Sequence, residues 1–335
     1  MIYKLKQKNE DFMVSEVFMP IFGEGDYSLY LLQKKGIRTV DTVDCIANIL
    51  NISSEMISYA GLKDEDAVTT QYITIRGGEF GNVFHESECG NFTLKFIGST
   101  PNPMEIGQIY GNAFKVKVRG LSYENALKLS KLKKHEVEIL NYYDIQRFGM
   151  PNSLKIAHYI GKSIIDRDYS EMLSLLLKSN NISISEYMTY KENEINYFHN
   201  SDIRKINFFL SAWDSFLWNK QLQNSIVNYT SEYEVVKREG IDFVYCKIDD
   251  KLKQILCDDE IIRHNISKDG IITEKISYRN PLMHTIISAT DMGVDLLNDG
   301  CYYADISFML PSGSYATALI DQCIHMSPMN TSSDI

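Results

Sequence analysis

The order of sequence patterns along the chain constrains its fold most strongly: strand-like segments at both ends flank a long helical middle. Alternating segments such as AVTTQYITI (67–75) and AFKVKVRG (113–120) fill the first 150 residues, and ISFMLPSGSYATALI (306–320) returns to a strand pattern. Between them, apolar residues recur at helical spacing in IRKINFFLSAWDSFLWNKQLQNSI (203–226). This order predicts an α+β fold with a mixed, mostly antiparallel sheet, interrupted by an inserted helix-rich domain.

The same change of pattern sets the expected domain boundaries. We predict one discontinuous domain made of residues 1–153 and 276–335, and a second domain, residues 154–275, inserted into it. Within the first domain, SYENALKLSKLKKHEVEIL (122–140) has the apolar spacing of one amphipathic helix.

Composition excludes several classes of protein. The chain of 335 residues is 44% hydrophobic, yet it has no apolar stretch long enough to span a membrane. Its N-terminus, MIYKLKQKNEDF, lacks the apolar segment of a secretion signal. The six cysteines form no CxxC pair, and the seven histidines show no HxH or HxxxH spacing. We therefore expect a cytoplasmic protein with reduced thiols, without a metal ion and without a membrane partner.

Charge argues against a general polyanion binder, because the formal net charge is −10. Half of that excess lies in residues 276–335, which hold one basic and six acidic side chains. RNA binding would therefore require a local basic cleft. The candidates for such a cleft are Lys4, Lys6, Lys8, Lys34, Lys35, Arg38, Lys115, Lys117, Arg119 and the run at 131–134.

The first candidate for chemistry is Asp64, in the segment YAGLKDEDAVTTQ (59–71). It lies in a loop opened by Gly61, just before a strand, where a carboxylate can act as nucleophile, general base or electrostatic stabiliser. The structural alternative is a turn aspartate that bonds its own backbone. Lys63 beside it would orient a substrate phosphate or remain solvated.

Three further segments carry candidate residues. GNAFKVKVRG (111–120) begins with Asn112 and Phe114, which can fix a polar group and stack on a base. NYYDIQRFG (141–149) places Arg147 between aromatic residues, and LPSGSYAT (310–317) brings Tyr315 out of a turn. Each segment has a structural alternative: a turn with a core phenylalanine, a helix stop, and an ordinary turn between strands.

Taken in order, these segments resemble the TruD family of tRNA pseudouridine synthases. The resemblance thins across 160–205 and 220–275. The segments that carry it are NEDFMVSE (9–16), FGEGDYSLYLLQKKGIRT (22–39), YAGLKDEDAVTTQ (59–71), GNAFKVKVRG (111–120), NYYDIQRFG (141–149), FLSAWDSFLWN (209–219), YRNPLM (278–283) and LPSGSYATAL (310–319).

The resemblance implies roles for particular residues. Asp64 matches the catalytic aspartate, Lys6 the basic residue that pairs with it, and Asn112 the residue that positions it. Phe114 matches the aromatic that stacks on the target uracil, and Tyr315 an aromatic that lines the pocket. The residues that the same reading assigns to RNA contacts are Lys63, Arg147, Lys34 and Arg119.

The implied activity is the isomerisation of uridine to pseudouridine, at position 13 in the D-arm of tRNA, by base flipping and without a cofactor. The implied partner is tRNA, the inserted domain would form one wall of the RNA cleft, and nothing in the sequence argues against a monomer. The alternatives are a non-catalytic RNA-binding or RNA-folding protein of the same fold, and a glycosidic hydrolase that uses Asp64 with Glu65 or Asp66.

The chain also departs from the family pattern. Glu65 and Asp66 follow the catalytic match where basic or neutral residues are usual, and we expect them to point away from the cleft because they would repel phosphate. Asp144 replaces a small residue or glutamate. Trp213 and Asp214 replace small and basic residues, which argues against an RNA contact there.

Overall fold

The computed structural model describes residues 3–87, 90–149, 153–256, 259–267 and 269–326. The chain forms two compact units, one of Met1–Val137 with Thr285–Ser314 and one of Glu138–His284 with Tyr315–Ile335. These divisions differ from the domain boundaries expected at 153 and 276. The assignment of a catalytic and an inserted domain therefore stays a prediction.

Strands and helices alternate irregularly along the chain. The strands are β1 (Phe12–Val17), β2 (Tyr27–Lys35), β3 (Ile57–Tyr59), β4 (Val68–Arg76), β5 (Val83–Ser87), β6 (Gly90–Thr100), β7 (Gly111–Leu121), β8 (His135–Leu140), β9 (Tyr233–Arg238), β10 (Ile241–Cys246), β11 (Asp259–Ile266), β12 (Ile272–Arg279), β13 (Leu282–Val294) and β14 (Tyr302–Pro311). The helices are α1 (Thr39–Leu50), α2 (Tyr123–Ser130), α3 (Ala157–Ile165), α4 (Tyr169–Lys178), α5 (Ile184–Tyr190), α6 (Glu194–Asn200), α7 (Ile203–Tyr229), α8 (Asp250–Ile255) and α9 (Ala316–His325). Short 3₁₀ turns lie at Asn9–Asp11, Ser54–Met56 and Ile145–Phe148.

The large sheet has the strand order β5-β6-β2-β4-β1-β7-β14-β13-β8, with β3 paired to β4. Strand β1 is parallel to β4 and antiparallel to β7. The register sets Glu16 opposite Asn112 and Val14 opposite Phe114, while β14 sets Phe308 opposite Phe114. The centre of the sheet therefore brings the segments that contain the candidate residues side by side.

The alternating side chains of β4 place one face of this strand in the core. Thr69, Gln71, Ile73 and Ile75 are buried on one face, because successive side chains of a strand point to opposite faces. The apolar members of this face pack with side chains of α1 in one core cluster. Of the two polar members of this face, Thr69 and Gln71, the second lies in the first half of the strand, which follows the Asp64 loop.

The predicted helix over 122–140 is wrong in its second half. Helix α2 ends at Ser130, Lys134 adopts a left-handed backbone with φ 52°, and β8 begins at His135. The segment HEVEIL alternates polar and apolar residues, and Val137 and Ile139 are buried. A period of two fits a strand, and β-branched side chains pack well in sheets.

The second unit is built around α7. Helices α3 and α7 approach so closely that a Cβ on Gly161 would lie 2.0 Å from the Phe209 carbonyl oxygen. The buried Asp214 accepts from the His264 backbone N–H at 2.9 Å and lies 2.6 Å from its ring Nδ1, which joins α7 to β11. Among the described residues, no helix combines the length and apolar character that crossing a membrane requires.

Candidate active site

Asp64 lies in the loop between β3 and β4 with its side chain 40% exposed. Its Oδ2 is 3.1 Å from Lys6 Nζ. Within the described ranges no backbone N–H donates to this carboxylate, as it would in an aspartate that forms its own turn. Glu65 and Asp66 are also exposed, and Ala67 after them is buried. The structure therefore presents Asp64 as an accessible carboxylate paired with one cation.

Lys6 is held in place by the segment that precedes β1. The backbones of Lys4 and Arg119 exchange two hydrogen bonds, of 2.8 and 3.0 Å, which fasten this segment to β7. Lys6 itself has φ 56°, a left-handed conformation that side chains other than glycine rarely adopt. Such strain, of order 1–3 kcal/mol, is concentrated at functional sites. Here it accompanies a side chain that reaches Asp64.

Hydrogen bonds from buried polar side chains hold the loop that carries Asp64. Lys34 Nζ donates to the Asp64 carbonyl at 2.6 Å and to the Ile37 carbonyl at 2.7 Å. Thr39 Oγ1 accepts from the Lys63 backbone N–H at 3.0 Å, and Gln71 Nε2 donates to the Gly61 carbonyl at 3.3 Å. These bonds restrain the backbone on both sides of Asp64, as precise positioning of a reacting group requires.

Lys34 is unusual because the whole residue is 0% exposed. Burial lowers the pKa of its ammonium group from 10.5 to about 8, although the charges of Asp64 and Glu65 oppose this shift. The cause is the loss of hydration of a charged group. Lys34 is therefore a structural cation beneath the loop, and sequence reasoning placed it among the RNA contacts because a lysine run in a strand gives no sign of which side chain points inward.

The neighbouring Lys63 also faces inward. Its Nζ lies 2.8 Å from Glu16 Oε1 and donates to Asn112 Oδ1 at 3.0 Å, with side chains 9% exposed for Lys63 and 0% for Glu16. Glu16 Oε2 accepts from the Tyr72 backbone N–H at 2.8 Å. Asn112 thus contacts the residue next to Asp64 and, within the described residues, not the carboxylate itself. Nothing in the sequence singles out Glu16, although its segment NEDFMVSE is one of those that carry the family resemblance.

A group of aromatic rings lies next to Lys6. Phe114 stacks on Phe308 with ring centres 5.2 Å apart and meets Phe12 edge-on at 5.9 Å. Lys6 Nζ lies 4.5 Å from the centre of the Phe12 ring. Lys6 therefore links the Asp64 carboxylate to the aromatic group that contains Phe114.

Arg119 takes a structural place. It makes two bonds to Asp11, of 2.7 and 2.8 Å, and one of 2.9 Å to Asp295. Its pKa is raised chiefly by the bond to Asp11. Because both carboxylates already occupy this buried guanidinium, the structure favours a role in anchoring the segment before β1 over a phosphate contact.

Tyr315 and Arg147, the remaining candidates, belong to the second unit. The Tyr315 ring lies 6.1 Å from that of Tyr143, and burial raises the pKa of its hydroxyl. Arg147 is partly buried and donates to Ser215 Oγ at 3.3 Å and to Ser211 Oγ. The departures noted above also have partners here: Asp144 pairs with Arg238 at 3.0 Å, and Asp214 with His264.

The arrangement around Asp64 suits chemistry by one carboxylate. A lysine pairs with it, hydrogen bonds hold the loop, and aromatic rings lie next to the lysine. Among the described residues no group of three His, Cys, Asp or Glu side chains could hold a metal ion.

The fold has a solved counterpart. A crystal structure of a tRNA pseudouridine synthase D (TruD) from Methanosarcina mazei superposes with a TM-score of 0.62 over 97% of this chain and 94% of that chain, at 19% identity. This likeness confirms the predicted α+β fold with a large mixed sheet. At this identity the likeness shows the fold alone, and the family is identified from the sequence matches.

The family described as tRNA pseudouridine synthase D (TruD) matches residues 2–207. "Probable tRNA pseudouridine synthase D 1" of Methanococcus maripaludis is 28% identical over 393 residues, covering 96% of this chain and all of that protein. "tRNA pseudouridine synthase D" of Aquifex aeolicus is 27% identical over 391 residues, covering 95% and 97%. The chain belongs to the TruD family of tRNA pseudouridine synthases, an isomerase family, which confirms the resemblance seen in its motifs.

Proposed function

We propose that this protein isomerises uridine to pseudouridine in tRNA, at position 13 of the D-arm, with Asp64 as its single catalytic carboxylate. The observation that carries the proposal is the exposed Asp64 carboxylate 3.1 Å from Lys6, on a loop fixed by Lys34. The position in tRNA follows from the resemblance of the motifs. A tRNA partner and a cytoplasmic location accompany the same proposal.

The reaction conserves every atom of the nucleoside. The bond between C1′ and N1 breaks, the uracil turns, a bond forms between C1′ and C5, and the proton that leaves C5 is balanced by one gained at N1. Asp64 serves this sequence either as a nucleophile or as the base that removes a sugar proton. Both roles place the carboxylate next to the reacting nucleoside, with Lys6 Nζ 3.1 Å from it.

The base must leave the RNA stack before it reaches a carboxylate. Flipping costs a few kcal/mol of stacking and pairing, and each base stacked on an aromatic side chain returns about 1–3 kcal/mol. We assign that stacking to Phe114, and we assign Asn112 to substrate binding. Phe308 stacks on the Phe114 ring in the described structure. The uracil would therefore contact a part of the Phe114 ring that Phe308 leaves uncovered.

The test compares Asp64→Asn with the matched neighbour variants Glu65→Gln and Asp66→Asn. Pseudouridine is mapped in tRNA from cells that lack the protein and then receive each form, and in tRNA transcripts incubated with each purified form. We expect Asp64→Asn to abolish the modification while tRNA affinity stays within about twofold, since the substitution removes charge and keeps shape. Activity retained by Asp64→Asn would refute the catalytic assignment, and wild-type protein that modifies no uridine would point to a non-catalytic RNA-binding role.

A further inference from the structure

A cavity of about 300 Å³ lies in the second unit between α3, α7 and the turn that joins β9 to β10. Its walls include His158 and Tyr159 from α3, Phe216 and Lys220 from α7, and Glu239 from the turn. This volume is at the lower end of the range for small-molecule sites in proteins. The cavity is formed within one unit, and its lining contains none of the residues assigned above to the reaction.

His158 is the polar group of this cavity whose bonding is incomplete. The residue is 1% exposed, yet neither ring nitrogen has a hydrogen-bond partner among the described residues. Burial lowers the pKa of its imidazole from 6.5 to about 4, and the charge of Lys220 adds to that effect. The ring is therefore neutral at pH 7 and offers one donor and one acceptor. Because a buried polar atom without a partner is destabilising, a ligand with a polar edge would be favoured here.

Aromatic rings line the same cavity. The His158 and Phe216 rings stack with their centres 4.3 Å apart, and the Tyr159 ring lies 4.1 Å from His158 and 6.2 Å from Phe216. Tyr159 is 48% exposed, so part of its ring is available for a planar group to stack on. Phe148, in the segment NYYDIQRFG, meets His158 edge-on at 5.4 Å. The cavity thus adjoins a segment that carries the family resemblance.

One lysine of the cavity has no acidic partner. Lys155 Nζ lies 3.7 Å from a carboxylate oxygen of Glu239, and Asp242 has Lys237 Nζ at 3.9 Å. Lys220 is exposed, and within the part of the chain that the structure describes no carboxylate lies at ion-pair distance from its Nζ. Its ammonium group is therefore available to an anionic ligand.

We propose that this cavity binds one nucleotide, with its base against Tyr159 and Phe216, a polar edge of the base at His158 and its phosphate at Lys220. Aromatic rings, a hydrogen-bonding side chain and a nearby cation are the groups with which proteins recognise an unstacked base. Lys220 Nζ is 5.5 Å from the centre of the Phe216 ring, so the cation and the stacking surface can contact the same nucleotide. The nucleotide is either an unpaired residue of the RNA substrate, in which case the proposal rests on the proposed function, or a free mononucleotide.

The test compares full-length wild type with Tyr159→Ala, Lys220→Gln and His158→Phe, the last of which keeps a ring and removes both nitrogens. The affinity for a tRNA transcript is measured as a function of salt, and the four nucleoside 5′-monophosphates are titrated separately. We expect Tyr159→Ala and His158→Phe each to lower the tRNA affinity by about tenfold, because each removes contacts to the base. Lys220→Gln should lower the slope of log K against log salt by about one, as the loss of one phosphate contact does.

Tyr233→Ala and Lys178→Gln are the matched controls. Tyr233 is 41% exposed, Lys178 is exposed on α4, and both belong to the same unit and lie outside the cavity. Circular dichroism of each variant establishes that it is folded. Because Tyr159 and Lys220 are exposed, these two variants test the site even if His158→Phe misfolds.

A loss of tRNA affinity in the cavity variants alone supports the site with RNA as its source, and a loss of mononucleotide binding with tRNA affinity unchanged supports it with a free nucleotide. Wild-type affinity for both kinds of ligand in folded Tyr159→Ala and Lys220→Gln would overturn the site, as would equal losses in the controls. Binding is read without any isomerisation. An Asp64→Asn variant that remained active would therefore refute the proposed catalyst and leave the nucleotide site standing.

Discussion

Replacing Lys34 by methionine should remove a specific pH dependence of stability. The folded protein holds the pKa of Lys34 at about 8, against an ordinary 10.5, so the unfolded chain binds more protons between these values. The contribution of Lys34 to the free energy of unfolding therefore rises as pH increases through 8 towards 10.5. At pH 7 the buried lysine is charged, and its full destabilising effect is present. The two pKa values give wild type a gain of about 2 kcal/mol between pH 7 and pH 9.5 that the methionine variant lacks.

The assay is chemical denaturation of both proteins at the two pH values, followed by circular dichroism. Tryptophan fluorescence would report on the second unit, because both tryptophans, Trp213 and Trp218, lie there. Hydrogen exchange of peptides that cover 28–40 and 60–70 reports on the first unit directly. Lys35→Met is the matched control. Lys35 is the next residue, its side chain is 41% exposed, and it pairs with Glu10.

The difference in stability between wild type and Lys34→Met should change with pH by about 2 kcal/mol, whereas that between wild type and Lys35→Met should stay constant. Faster exchange of 60–70 and a kcat lowered by about tenfold or more should accompany Lys34→Met, because the Asp64 carbonyl loses its donor. Parallel pH curves for wild type and Lys34→Met would refute the claim that this ammonium is enclosed beneath the loop.

Two further predictions concern the neighbours of Asp64. Lys6→Met should lower the rate of single-turnover pseudouridine formation by about 100-fold and leave the tRNA affinity within about twofold, because the cation acts on the carboxylate rather than on RNA binding as a whole. Lys6→Arg should restore part of the rate. Equal losses of rate and affinity in Lys6→Met would contradict this prediction. Glu16→Gln should lower the free energy of unfolding by about 3 kcal/mol, since it leaves the Lys63 charge buried without its partner, and an unchanged melting temperature would show that this ion pair contributes little.

Sequence patterns predicted the type of secondary structure correctly where a segment has a single periodicity. The alternation of β4 divided its residues into two faces, one of which is buried, and the spacing in α7 predicted a long helix with a buried face. The pattern failed at 131–140, because an apolar residue every three or four positions in the first half masked the alternation in HEVEIL. Only the sheet supplies the neighbours that make HEVEIL a strand.

The motifs by themselves predicted the family and singled out Asp64 as the candidate catalytic residue, since a carboxylate after GLK and before an alternating segment can be recognised in consecutive residues. Tertiary structure decided what the charged side chains do. Lys34, Lys63 and Arg119 read as RNA contacts in the sequence, yet each faces carbonyl or carboxylate oxygens inside the first unit. The direction of a long side chain depends on strands and loops far away in the chain, and a linear sequence does not record which oxygen atoms will surround an ammonium or guanidinium group.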